Sequence, residues 1–90
     1  MLIYNKNLLD EKSKYIVSNL EDKLKEKYLK YFIEFCMAGE EKIAYEILCD
    51  QIYEFDIKIQ KKVFDVLKDM CIYYELDSDY WKNLKNLIIK

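Results

Sequence analysis

The stretch from Ala38 to Ile59, AGEEKIAYEILCDQIYEFDIKI, decides how this chain is read. It opens on Gly39, the single glycine among 90 residues. Glycine takes up the left-handed conformation that closes a helix without a side-chain clash. Gly39 is therefore read as a helix stop. Glu40 and Glu41 follow as the first turn of the next helix, where carboxylates favour the positive end of the dipole. Beyond them Ile43, Ile47 and Ile52, with Ala44 and Leu48, recur at helical spacing and form the face that an amphipathic helix buries. That helix is expected to reach Glu54. Phe55 to Ile59 then alternates apolar and polar residues, which suits an extended linker.

Working outward, Ile16, Leu20, Leu24, Tyr28, Tyr31 and Phe35 make a second stripe. Val63, Leu67, Met70 and Tyr74 make a third, and Trp81, Leu84, Leu87 and Ile88 a fourth. A first helix is expected from Asn7 to Asn19 and a second from Glu21 to Ala38. Ser18 and Asn19 mark the break through their local backbone bonding. One long bent helix is the alternative, because the stripe runs through them. A fourth helix is expected from Gln60 to Tyr74. A last one, capped by Asp77 or Ser78, is expected to run to Ile89. There is no proline, so hairpin punctuation is missing. The fold class is all-α: a small four- to five-helix bundle with short connections, in a single domain over residues 1–90.

Composition narrows function. The chain has no histidine, and all fifteen of its basic residues are lysine. It therefore lacks the commonest general base near neutral pH. Without arginine it also lacks the planar fork that grips phosphate or guanine. A net charge of −2 gives no basic field, so direct nucleic-acid binding is not expected. No apolar run is long enough for a membrane span, and the N-terminus lacks the features of a signal peptide. A cytoplasmic location follows as the expectation. Cys36, Cys49 and Cys71 are widely spaced among apolar neighbours and are read as buried small hydrophobes. With no histidine and no C-x-x-C pair, no metal and no cofactor is expected. The carboxylate pairs Glu40/Glu41 and Asp77/Asp79 sit at helix starts and point apart. No catalytic residue is assigned, and the chain is not read as an enzyme.

The candidate surface lies on the third helix. Lys42, Glu46, Asp50 and Glu54 stand four residues apart and share one face. Asp56 follows, with Tyr53 and Phe55 beside it. One reading is an ordinary solvated face. The other is an acidic, aromatic docking surface made of Glu46, Asp50, Tyr53, Glu54 and Asp56, suited to a basic protein partner. Gln51 falls beside the apolar side and is expected to bond the backbone of the Phe55–Ile59 linker. Trp81 is expected to anchor the core with Leu84 and Ile88. Nine tyrosines exceed what one small core needs, so some must be exposed.

Gly39-Glu40 and the run from Ala44 to Ile59 resemble the MafI-type immunity proteins. Val63-Phe64 through Met70 and Tyr80-Trp81 through Leu87 are similar in place and type, so the likeness covers Phe35 to the end. The sequence departs from the family pattern at Lys58, where the family carries proline, and at Lys42, where it carries glycine. Loss of the proline leaves the linker less rigid. The resemblance implies a bacterial antitoxin-like role in contact-dependent growth inhibition. The partner would be the C-terminal nuclease domain of a cognate toxin, such as an EndoU-type ribonuclease, occluded without chemistry. No membrane, small molecule or nucleic acid is implied. The alternative is a helical interaction module or self-associating adaptor with no toxin partner.

Overall fold

The computed structural model describes residues 9–90. The expected start of the first helix at Asn7 lies outside them. Five α-helices follow in order: α1 Glu11–Leu20, α2 Glu26–Met37, α3 Glu41–Glu54, α4 Lys61–Tyr73 and the single turn α5 Asp79–Lys82. A 3-10 turn, Lys85–Leu87, comes after α5. α2 packs along α3, α1 lies against α4, and α5 bridges α3 and α4. Among the described residues the fold is all-α, with no strand beyond one isolated bridge.

α1 starts at a side-chain cap. Asp10 Oδ1 accepts the Ser13 backbone N–H at 2.8 Å, replacing one of the bonds that a helix start leaves unmade. The Ser13 hydroxyl donates to Asp10 Oδ2 at 3.2 Å and shares a 2.7 Å hydrogen bond with the Tyr45 hydroxyl. A serine has one proton to give, so Tyr45 is the donor in the second bond. Tyr45 is fully buried. Phe32 meets its ring edge-on at 5.0 Å, and Tyr74 stacks on it at 5.8 Å. One side chain thus ties α3 to α1, α2 and the end of α4.

α2, α3 and α4 stop in the same way. The amides of Glu40, Ile57 and Leu76 reach back to the carbonyls of Phe35, Ile52 and Cys71 at 2.8, 3.0 and 2.9 Å. Each bond encloses one left-handed residue: Gly39 at φ 78°, Asp56 at φ 53° and Glu75 at φ 58°. This geometry satisfies carbonyls that a helix end leaves free. Buried Leu76 and half-buried Ile57 supply the apolar contact that accompanies it.

Several boundaries and faces differ from the sequence reading. α1 and α2 are separate helices, so the single bent helix is excluded. The break lies at residues 21–25, not at Ser18-Asn19, and α2 starts at Glu26 rather than Glu21. Leu24 is buried from within that turn, and apolar spacing cannot tell a buried turn residue from a helical one. The buried residues of α2 are Leu29, Phe32 and Ile33; Tyr31 is exposed. On α3, Tyr45 and Cys49 join the buried face, while Ile43 is exposed. Cys49 and Cys71 are buried as expected, but Cys36 is only half-buried.

The last helix is not continuous to Ile89. Ile59 donates its amide to Leu87 at 2.9 Å, and Ile89 donates to Ile59 at 2.7 Å. These bonds require extended backbone at Ile88, and Asn83 and Asn86 are poor helix formers besides. The same bonds hold the linker that Gln51 was expected to hold. The Gln51 Oε1 atom is buried without a hydrogen-bond partner among the described residues; Lys23 Nζ instead bonds the Lys58 carbonyl at 2.8 Å. Trp81 is half-buried rather than a core anchor. It meets Phe64 edge-on, and Lys68, Lys82 and Lys85 lie 4.6, 5.8 and 5.6 Å from its ring centre.

The helix ends give a pair of opposite predictions. A Cβ at Gly39 would meet nothing within 4 Å, so Gly39→Ala carries only the left-handed backbone penalty. It is expected to lower stability by about 1 kcal/mol, and Glu75→Gly to raise it by about 0.5 kcal/mol, in urea titrations.

Burial gives a second. Desolvation first, then Asp10 and Glu41, pushes the Cys36 thiol from 9.0 up to about 12. Burial holds the Tyr45 phenol far above its ordinary 10.0. Both groups ionise more easily in the unfolded chain, so a rising pH favours unfolding. The Cys36 contribution is complete below pH 9.0 and is lost towards about 12. Denaturant midpoints should fall over that window, and Cys36→Ala should make the fall shallower.

Candidate protein-binding groove

α3 exposes Asp50 and Tyr53 one turn apart. The chain leaves α4 through the left-handed Glu75 and returns beside α3 as α5. Of the two expected caps, Ser78 takes the N-cap position of α5 without a side-chain cap bond, while the Asp77 Oδ1 atom accepts the Asp79 amide at 2.9 Å. The result is a groove of about 400 Å³ lined by Cys49, Asp50, Tyr53, Asp77, Asp79, Tyr80 and Asn83.

The lining holds three carboxylates and no lysine. Among the described residues, the ion pairs of the protein involve none of these acids, nor Glu46. Their charge is felt at Tyr80. Partial burial, then Glu46, Asp50 and Asp77 among its neighbours, pushes the Tyr80 phenol above its ordinary 10.0. Tyr53 stands at the rim, 59% exposed. Two phenols beside unpaired carboxylates offer apolar area, hydroxyls and negative charge together, a set suited to lysine or arginine side chains of a protein. Among the described residues, no group of three ligating side chains is placed to hold a metal ion. No helix there is long and apolar enough to cross a membrane.

Of the residues singled out in the sequence, Asp50 and Tyr53 line the groove, and half-buried Glu46 acts on its Tyr80. Glu54 and Asp56 do not line it. Asp56 is the left-handed residue that ends α3, and its carboxylate lies 3.5 Å from Lys58 Nζ. Asp77, Asp79 and Asn83 escaped the sequence reading of the surface. The cluster from Asp77 to Tyr80 was visible there as a helix start, but its packing against α3 is a long-range contact with no local signal.

A larger depression of about 590 Å³ lies between the start of α1 and the end of α4, lined by residues that include Asp10, Lys12, Ile72 and Tyr73. Its lining mixes Lys12 with the acids Asp10, Glu11 and Asp69. The charged side chains that line the α3–α5 groove are all acidic. Compared with protein-family models, curated proteins and solved structures, the chain gives no match.

The groove potential is open to direct titration. Asp50→Asn removes one of the charges that oppose Tyr80 ionisation. The Tyr80 pKa, followed by NMR of labelled tyrosine, is expected to move down towards 10.0.

Proposed function

We propose that this chain acts by covering a basic surface of another protein, without chemistry of its own. The observation that carries this reading is the lysine-free groove, where Asp50, Asp77 and Asp79 stand beside Tyr53 and Tyr80 with no ion-pair partner among the described residues. An active site that binds phosphates is rich in lysine and arginine. Carboxylates held on a rigid helical frame pair with such groups and speed encounter, while the tyrosines supply contact area at little entropic cost.

The resemblance of Gly39-Glu40 and Ala44–Ile59 to the MafI-type immunity proteins supplies the partner class. In that reading the chain binds the C-terminal nuclease domain of a toxin, of EndoU or another ribonuclease type, in the cytoplasm of the producing cell. Absence of arginine and histidine fits a protein that is occluder and not catalyst.

The test is binding and inhibition with the purified toxin domain encoded beside this chain. One-to-one binding and loss of nuclease activity are expected. The double variant Asp50→Lys/Asp79→Lys should bind about 100-fold more weakly, roughly 3 kcal/mol. Both positions are exposed, so folding stability should shift by less than about 0.5 kcal/mol. A toxin domain fully active in excess of this protein defeats the immunity reading. Unchanged affinity in the variant moves the interface away from the groove, to exposed Ile72 and Tyr73 at the end of α4. A dimer in light scattering with no toxin binding supports the self-associating module instead.

A further inference from the structure

We propose that Cys49 and Cys71 form a redox-active dithiol that a peroxide closes to a disulfide, joining α3 to α4. The proposal does not rest on the functional reading above. The two Sγ atoms lie 3.7 Å apart in a buried contact between residues 22 positions apart in the chain. A disulfide holds its sulfurs about 2 Å apart, so roughly 1.7 Å must be closed between two side chains on packed helices. The two sulfurs are in direct contact, with a geometry in which either thiol can donate to the other.

Access and selectivity follow from the surroundings. Cys49 is buried beneath the acidic groove that it helps to line, so the route to the pair is through the groove floor as it opens locally; that route admits a small neutral oxidant and opposes bulky anionic reagents. The S–H held between the sulfurs favours the thiolate on Cys71, lowering its pKa against the opposing effect of burial. Cys36 lies on α2, apart from this contact, and burial keeps it protonated at neutral pH by pushing it up to about 12. Thiolate is the reactive form.

The chemistry balances with hydrogen peroxide as oxidant. The thiolate of the pair attacks one peroxide oxygen and the O–O bond breaks. Hydroxide leaves with the electron pair and takes up the proton that the thiol released, giving water. The second thiol attacks the sulfenic sulfur; the S–S bond forms and the S–O bond breaks. The departing hydroxide takes the second thiol proton as another water. Two thiols lose two electrons and two protons, and one peroxide becomes two waters.

The disulfide ties α3, which carries Asp50 and Tyr53, to the helix that leads into Asp77 and Asp79. It also removes freedom from the unfolded chain, so the oxidised protein should melt higher than the reduced one.

Trypsin places the three cysteines on separate peptides, residues 31–42, 43–58 and 69–82. The folded chain is treated with hydrogen peroxide, unfolded, alkylated, digested and analysed by mass spectrometry. The expected product is the 43–58 peptide linked to the 69–82 peptide, lighter by two hydrogens than their sum. The 31–42 peptide should stay alkylated, and dithiothreitol should reverse both the link and the rise in melting temperature. The proposal is overturned if Cys49 and Cys71 both remain alkylated. It is equally overturned if either stops at sulfinic acid, or if the main link involves Cys36 or a second chain.

Discussion

Tyr45 carries a hydroxyl into the fully buried core, and the rest of the packing follows from how that group is satisfied. An unbonded hydroxyl there would oppose folding by roughly 2 kcal/mol or more. Ser13 accepts its proton, and Asp10 in turn accepts from Ser13. The same aspartate caps α1, so the start of that helix and the burial of α3 are one event. With α1 fixed against α3, the Tyr45 ring has defined neighbours in Phe32 and Tyr74. A small chain gains from such a centre, because it has few other ways to specify one packing among many.

The all-α architecture was legible because the apolar residues recur at three and four and almost nothing interrupts them. Gly39 was legible as a stop because only glycine adopts its backbone cheaply. Asp56 and Glu75 do the same job with φ values near 55°, and no residue type announces that; tertiary packing of Ile57 and Leu76 overrides the local penalty. The break between α1 and α2 was misplaced because Leu24 is buried from a turn. The last helix was overextended because the Ile59–Ile88 bridge competes with helical bonds, and a contact across 29 residues leaves no local trace. Half of the groove was legible for the related reason that Asp50 and Tyr53 share a helix face. The other half arrives from α5 through a turn whose direction is set by Glu75.

The fold also sorts charge. Tyr80 and Trp81 are neighbours in the chain, yet their surroundings are opposite. Glu46, Asp50 and Asp77 surround Tyr80, whereas Lys68, Lys82 and Lys85 approach the ring of Trp81. A net charge of −2 therefore hides two local fields of opposite sign. Local fields, rather than the total, steer association at contact range. The acidic field is concave and flanked by exposed Tyr53, so the groove on α3 and α5 is the proposed docking surface.

That proposal is tested most directly by hydrogen–deuterium exchange of this chain, alone and with the proposed partner, a toxin's nuclease domain, bound. The account predicts slowed exchange concentrated in residues 46–53 and 77–83, the two walls of the groove. Protection confined to the lysine-bearing side at residues 61–68 and 85, with the groove unchanged, would contradict it.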